Sequence, residues 1–475
     1  MNTFGLYMIV FSIILMLGIS ILGYLFSKRQ MKDNDSYFTA GRNITVSFMT
    51  ATFIAYAVGT GLVFSPAESA YLDGMTAMVG YALALSIAYL IFIPISRRIK
   101  ELLPAGNTIG EYVKARYGNV MFIVVLFVII VYLFCLLVAN LIGAGIAFQY
   151  LGGMPICVGV LIIGIPVMIY TTYGGLGAAI FTNSIQAILL TPLLFVVAFF
   201  AFRNLGGTGA VYEGVVENAP ELMNIFHGPG VEFAIMIIIA VASAELLNQA
   251  LWQRVYSAKD VQVVKRGLIN ASIMTFPMAI IAGVFGLIAI SMAMDLPHTS
   301  IGTALVAHTV LPEWGSMLFV LIIVLATTST GSDALAAFSS TASLDIVKSL
   351  MPNMDSKAAV KVARISTIIF AVAAMLVAFQ APSILQILLF ADLVAAAAVV
   401  PVIAGLYHKR ISGKLATGGT IFGLIIGVPL YLMGQYLNSF IVAILISSLI
   451  IFIGARFTKT GYNFDQLRET IKNLD

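Results

Sequence analysis

One run in the chain, Ala326-Thr327-Thr328-Ser329-Thr330-Gly331-Ser332-Asp333, carries the densest cluster of side-chain oxygen found inside any apolar stretch. Helical spacing decides what those oxygens can do together. Ala326, Ser329, Thr330 and Asp333 are three and four residues apart and share one face of a helix. Two hydroxyls and a carboxylate on one stripe are the oxygen ligands that a small hard cation takes. The hydroxyls have a second outlet, because Ser and Thr in helices also bond the carbonyl one turn back or line a tight helix contact. Asp333 is different: a carboxylate at the centre of a membrane helix costs about 2.5–3.5 kcal/mol on insertion scales, and such residues are kept for function.

Two other stretches interrupt apolar runs at similar depth: Gly59-Thr60-Gly61 with Ser65-Pro66, and Ala244-Glu245-Leu246-Leu247-Asn248-Gln249. A helix broken inside a membrane frees backbone carbonyls for an ion or a solute. The plainer alternative is a proline kink beside a glycine packing notch. Polar residues embedded nearby, Tyr56, Glu68, Glu245, Asn248 and Gln249, together with Asp392, are the candidate solute contacts. No Lys or Arg reads as embedded beside Glu68, Glu245 or Asp392. That charge balance favours a cationic or strongly hydrogen-bonding solute, such as a polyamine or urea, over an anion. For Glu68 and Glu245 the alternative is a wetted, structural place at the mouth of the pathway.

These residues need a membrane scaffold around them. The chain is 60% hydrophobic and 10% charged, with a mean hydropathy of +1.03, whereas soluble domains are about a quarter charged. Apolar stretches of about 20 residues recur, the length that crosses a hydrocarbon core. They lack the alternation of barrel strands, so an all-α polytopic membrane protein is expected. Thirteen transmembrane helices are predicted, near 4–26, 45–72, 75–96, 120–149, 155–171, 174–202, 231–253, 267–294, 316–347, 364–380, 384–407, 414–435 and 437–455.

Lys28, Arg29 and Lys32 follow the first apolar run and no basic residue precedes it, the reverse of a secretory signal. Threading from an outside N-terminus gathers Arg97, Arg98, Lys100, Lys114, Arg116, Arg254, Lys259, Lys265 and Arg266 on one side. Lys348, Lys357, Lys361, Arg364, Lys409, Arg410, Lys414 and the C-terminal tail with Arg456, Lys459, Arg468 and Lys472 join them, and only Arg203 lies opposite. The positive-inside rule makes the crowded side cytoplasmic, so a multi-pass protein of the cell membrane is expected, with its N-terminus outside and its C-terminus in the cytoplasm. With 1–44 and 413–475 set aside as peripheral, the remainder divides into five spans over 45–202, a connection at 203–230, and five spans over 231–412. Five is odd, so the second set enters the membrane inverted relative to the first.

Several motifs now align with one family. Ser329-Thr330-Gly331-Ser332-Asp333, followed by Ser339-Ser340 and Asp345-Ile346-Val347-Lys348, resembles the eighth core helix of the sodium:solute symporters. Tyr173-Gly174-Gly175-Leu176-Gly177-Ala178 and Thr182-Asn183-Ser184-Ile185-Gln186 resemble that family's G-G-x-x-A and T-D-x-x-Q. Asn248-Gln249-Ala250-Leu251-Trp252-Gln253-Arg254 with Ala258-Lys259 resembles its N-Q-x-x-x-Q-R and A-K pattern. The family carries solutes such as proline, pantothenate, glucose, sialic acid and iodide. The resemblance, from about Ser36 to Gly413, implies the leucine-transporter fold, alternating access and sodium as the coupling ion.

It also implies a sodium site made by the carbonyls of Ala55, Val58 and Ala326 and the hydroxyls of Ser329 and Thr330. The family's T-D-x-x-Q aspartate is Asn183 here, while Asp333 stands where the family often has a hydroxyl residue or Cys. Members with a second sodium hold it there, so Asn183, Ser332 and Asp333 form a possible second cation position. Either the carboxylate has moved to the facing helix or that position is gone. The Gln249–Gln253 region with Trp252, and the small residues of 395–400 before Pro401, resemble the urea and polyamine branch. Ala250, where sugar carriers often have an aromatic, departs from the sugar branch.

Other classes fit less well. No G-x-x-x-x-G-K-[ST] loop occurs, so direct coupling to ATP is not expected. Cys135 and Cys157 lack the spacing of a disulfide framework or zinc site. The four histidines fall in loops or at helix ends, without the convergent cluster of an enzyme. Basic residues are spread over loops, so no nucleic-acid partner is expected. The expected partners are a small solute, sodium and the bilayer, for a monomeric unit with no cofactor beyond the coupling ion. A proton-coupled symporter of the same fold, or a transport-derived sensor without enzymatic activity, remain the alternatives.

Overall fold

Inside a hydrocarbon layer a backbone can satisfy its N–H and C=O groups only within itself, so long apolar runs become helices. The computed structural model describes residues 3–30, 34–296, 298–347, 349, 351, 356–380, 383–459 and 461–470. In chain order the helices are α1 (Thr3–Gln30), α2 (Asn34–Thr39), α3 (Val46–Ala57), α4 (Thr60–Leu102), α5 (Ile109–Tyr117) and α6 (Asn119–Gly152). Then come α7 (Ile156–Asn204), α8 (Thr208–Asn218), α9 (Gly228–Leu246), α10 (Gln249–Ser257), α11 (Val261–Ser291) and α12 (Gly302–Val310). The last are α13 (Glu313–Ser340), α14 (Ser356–Ala378), α15 (Ile384–Ala404), α16 (Gly413–Leu432), α17 (Tyr436–Phe457) and α18 (Asp465–Thr470). A π-helical stretch, Thr341–Val347, prolongs α13. The described residues contain no strand, only an isolated bridge between Ile44 and Ala258.

Eleven of these helices are long and apolar enough to cross a membrane. Two of them exceed one crossing by far, α4 with 43 residues and α7 with 49, against the roughly 20 that a bilayer needs. Each is interrupted by a glycine, at Gly74 (φ 84°, ψ −166°) and Gly175 (φ 59°, ψ −157°). The thirteen expected spans divide at these same two places. The count of thirteen therefore depends on both interrupted helices crossing twice.

At Gly74 a side chain is excluded twice over. Its positive φ disfavours an L residue, and a Cβ there would collide with the Leu222 carbonyl of the facing segment. Gly74→Ala should cost about 1–3 kcal/mol, visible as a lower melting temperature of the purified protein. A melting curve equal to wild type would mean that this turn adapts freely.

Helix α13 is the most enclosed of the candidate spans, with 89% of its apolar window buried, against 28% for α1 and α17. It packs on α6 and α7, while α4 packs on α9 and α11. Helix α3 ends at Ala57 and α4 starts at Thr60, so Val58 and Gly59 lie between helices in extended or irregular backbone. A matching gap separates α9 from α10 at Leu247 and Asn248, where the Asn248 side chain caps α10 by accepting from the Ala250 N–H at 2.9 Å. Both interruptions fall where the sequence puts them, except that Ser65-Pro66 stays inside helical α4.

The structure corrects the loop placement of Arg254. That residue sits within α10, a nine-residue helix whose side chains are all buried. Lys32, Lys348 and Lys472, which contribute to the charge pattern, lie outside the described residues.

Candidate cation and solute site

Ala55, Val58, Ala326, Ser329 and Thr330 are all at most 2% exposed. The Thr330 hydroxyl donates to the Tyr56 carbonyl at 3.0 Å, which brings the α13 stripe against the last turn of α3. The Ser329 hydroxyl donates to the Ala326 carbonyl at 2.9 Å, and Ser332 donates to the Ser329 carbonyl at 2.9 Å. A hydroxyl that spends its proton this way keeps lone pairs for a cation. The approach of α13 depends on Gly59, where a Cβ would stand 2.6 Å from Thr330 Oγ1 and 2.8 Å from Asn140 Oδ1. Asn140, on α6, accepts from the Thr60 N–H at 2.9 Å and the Thr60 hydroxyl at 3.1 Å, which satisfies the start of α4.

One turn further along α13, the carboxylate of Asp333 accepts from Asn183 Nδ2 on both oxygens, at 2.9 and 2.8 Å. The two residues thus face each other as expected. Arg254 completes the group through an ion pair from Nη2 to Asp333 Oδ2, with both side chains fully buried. Its Nε donates to Thr52 Oγ1 at 3.1 Å and its Nη1 to the Ala250 carbonyl at 2.9 Å. The guanidinium also stands 5.2 Å from the centroid of the Tyr56 ring.

The buried Arg pairs with Asp333, not with Glu68, Glu245 or Asp392, so the carboxylate that stands beside Asn183 and Ser332 carries its counter-charge within the protein. The physical reason is local. After the Asn248 break the chain forms a short buried helix instead of leaving the membrane, and only a paired carboxylate makes a buried guanidinium tolerable.

Between the two broken helices lies a cavity of about 70 Å³, lined by Tyr56, Gly59, Tyr81, Tyr132, Asn140, Glu245, Thr330 and Asp392 among others. Glu245 accepts from the Tyr56 hydroxyl at 3.3 Å and from Asn248 Nδ2 at 3.2 Å. Asn248 Nδ2 also reaches the hydroxyls of Tyr56 and Tyr132, the latter at 3.5 Å. No hydrogen-bond donor among the described residues reaches Asp392, which is 7% exposed and lines the cavity. No Lys or Arg lines it either. Because Thr330 borders this cavity and also bonds the Tyr56 carbonyl of α3, the hydroxyl stripe of α13 and the cavity share a wall.

Two expected solute residues lie elsewhere. Glu68 borders a separate, wider cavity of about 560 Å³ and accepts from the hydroxyls of Thr299 at 2.5 Å, Ser300 at 2.9 Å and Ser383 at 3.3 Å. Gln249 ties α10 to the start of α5: its carbonyl accepts from the Ile109 N–H at 2.8 Å and its amide donates to the Asn107 carbonyl at 3.2 Å.

Residues 37–427 match the Sodium:solute symporter family. The chain belongs to that family. It is 23% identical to the urea-proton symporter DUR3 of Oryza sativa subsp. japonica over 83% of the chain and 60% of the relative, so it spans under two thirds of that protein's length. The spermidine transporter DUR31 of Candida albicans is also 23% identical, over 81% of the chain and 73% of the relative. A Na+-coupled sialic acid symporter in a substrate-bound, outward-open state superposes with a TM-score of 0.79 at 20% identity, covering 97% of this chain and 99% of that one. The family member described here is thus a multi-pass membrane protein with the leucine-transporter fold.

Sequence reasoning overlooked several of its polar groups. Tyr132 and Asn140 lie two turns apart on α6 and Tyr81 lies on α4, in long apolar runs where a scattered polar residue looks incidental. An amide in the middle of an apolar span is itself a signal, because it must find partners there.

Proposed function

We propose that this family member is a secondary active symporter which carries a small organic cation, or a neutral solute of urea size and hydrogen-bonding capacity, with sodium as the coupling ion. The observation that carries the solute class is the pairing of Glu245 and Asp392 on one small cavity walled by tyrosines and free of Lys and Arg. An amine or guanidinium entering it meets carboxylates and aromatic faces, both of which attract cations. The names of the rice and yeast relatives, urea and spermidine carriers, support the same chemistry. Sodium is supported by the oxygen stripe of Ala326, Ser329 and Thr330 against the end of α3, where Ala55 and Val58 carry carbonyls. The breaks after Ala57 and Leu246 support the reading of two inverted halves, 45–202 and 231–412, that rock about the cavity. Proton coupling is the second reading, favoured by two carboxylates on one buried cavity and by the name of the rice relative.

The test is uptake of radiolabelled putrescine, guanidinium and urea into proteoliposomes under an inward sodium gradient, a choline gradient or a proton gradient. Accumulation is expected with sodium. Glu245→Gln and Asp392→Asn should each lower amine uptake at least tenfold, since a charge-assisted hydrogen bond contributes about 1.5–3 kcal/mol. Uptake driven by the proton gradient alone would select the second reading. Accumulation of a sugar or zwitterionic amino acid, with amines and urea ignored, would dismiss the solute class.

A further inference from the structure

At the end of the bundle that the charge pattern places in the cytoplasm, two arginines grip the turn that follows α15. Arg98, near the end of α4, donates from Nε to the Leu406 carbonyl at 3.0 Å. Arg116 of α5 donates from Nε to the Gly405 carbonyl at 3.2 Å and from Nη2 to the His408 carbonyl at 3.0 Å. Beside them the hydroxyls of Tyr112 and Tyr117 donate to the carbonyls of Val402 and Pro401, at 2.9 and 2.6 Å. In the proposed halves, α4 and α5 fall in 45–202 and the end of α15 in 231–412, so these contacts join the halves on one side of the membrane. We infer that the segment 462–467, beyond α17, is a strap across this joint: docked, it holds the cytoplasmic side closed, and it lifts before that side opens. The inference rests on the alternating access proposed above.

One residue of the strap bonds both sides of the joint. The Tyr462 N–H donates to the Lys409 carbonyl at 2.9 Å, and its hydroxyl donates to the Ala115 carbonyl of α5 at 3.1 Å. Its ring centre stands 4.4 Å from the Arg116 guanidinium, whose other aromatic neighbour, Tyr117, is at 4.7 Å. Phe464 stands 5.1 Å from the Arg98 guanidinium and 6.0 Å from the Lys409 ammonium. Leu467 is fully buried, and α18 packs on α4 and α5. Arg116 is 5% exposed, and no carboxylate pairs with it among the described residues. Carbonyls and ring faces are what hold this guanidinium, and both hold it better when water is kept out. Lifting the strap strips one ring from Arg116 and one from Arg98 and lets water compete for the carbonyls of the turn. Two hydrogen bonds and three cation–ring contacts together favour the docked state by tenfold or more.

The test measures how fast single cysteines react with fluorescein maleimide in the purified protein, in a background carrying Cys135→Ala and Cys157→Ala. Val402→Cys reports the joint, because Val402 is fully buried against α5. Tyr150→Cys reports the wide cavity, at the far end of α6 from α5. The strap is removed by ending the chain at Lys459, or disarmed in the full chain by Tyr462→Ala with Phe464→Ala should the shortened chain fail to fold. Either change should speed labelling of Val402→Cys at least tenfold and slow that of Tyr150→Cys, since opening one side closes the other. Labelling of Val402→Cys that ignores the strap would overturn the inference. So would labelling of Tyr150→Cys that stays level or rises, which is the mark of a fold merely loosened. The labelling needs neither solute nor an ion gradient. Strap-sensitive labelling without sodium-driven uptake would keep the strap and dismiss the coupling ion, and uptake with strap-blind labelling would do the reverse.

Discussion

Arg254→Met alone should destabilise the protein by about 3–5 kcal/mol, and adding Asp333→Leu should return most of that loss. Removing one partner of a buried ion pair leaves an uncompensated charge in a medium that cannot solvate it, whereas replacing both by apolar groups of similar volume is often neutral. Arg254 and Asp333 are both fully buried, and no other basic group contacts the carboxylate among the described residues. Asn183 offers only a neutral amide. Thermal unfolding of the single and double variants forms a double-mutant cycle, and because either single loss is large while the double loss is small, the expected coupling is larger than the roughly 0.5–3 kcal/mol usual for contacting residues. Additive losses would mean that the charges do not depend on each other. Asp333→Asn should be milder than Asp333→Ala, because the amide still fills the place between Asn183 and Arg254.

Ser329→Ala and Thr330→Ala should each raise the sodium concentration needed for half-maximal uptake tenfold or more, and they should differ in what happens to the solute. A lost oxygen ligand removes a charge-assisted contact of about 1.5–3 kcal/mol, and each 1.4 kcal/mol is about tenfold. Ser329 bonds only within its own helix, to the Ala326 carbonyl, and does not border the small cavity. Thr330 borders that cavity and donates to the Tyr56 carbonyl across the helix gap. Ser329→Ala should therefore shift the sodium dependence alone, and Thr330→Ala should also raise the apparent KM for solute. Thr330→Ser, which keeps the hydroxyl, should restore most of both. Wild-type sodium dependence in both alanine variants would remove these hydroxyls from the cation site.

The helical membrane fold was legible because its signals are long. Twenty apolar residues announce a crossing whatever their neighbours do, and the two helix breaks showed in Gly59 and in the polar run from Glu245 to Gln249. The stripe on α13 was legible for the same reason, since Ser329, Thr330 and Asp333 repeat at helical spacing. Arg254 was misread because a charge beyond the end of an apolar run looks like a loop residue, and nothing in one dimension says that α10 turns back into the bundle. Its partner, Asp333, is 79 residues away. Glu68 and Gln249 were placed near the solute because of their chemistry and their nearness to the breaks in sequence. Both point away from the small cavity, one toward neutral hydroxyls and the other toward the backbone of α5. Which way a helical side chain turns is settled by the neighbouring elements, and those are distant in sequence. Ala55 and Val58 show the opposite difficulty: as proposed ligands they would act through their carbonyls, and an apolar side chain says nothing of that.

The buried ion pair also has a bearing on descent. A lineage that lost Arg254 or Asp333 singly would pass through a poorly folding intermediate, so the two positions are tied in their history as well as in space. Asn183 and Thr52, which bond one or both of them, are drawn into the same constraint. Among relatives these four positions should drift as a group, exchanging the acid from one helix to the other or giving up both charges together, while the apolar surfaces of α1 and α17 vary freely around them.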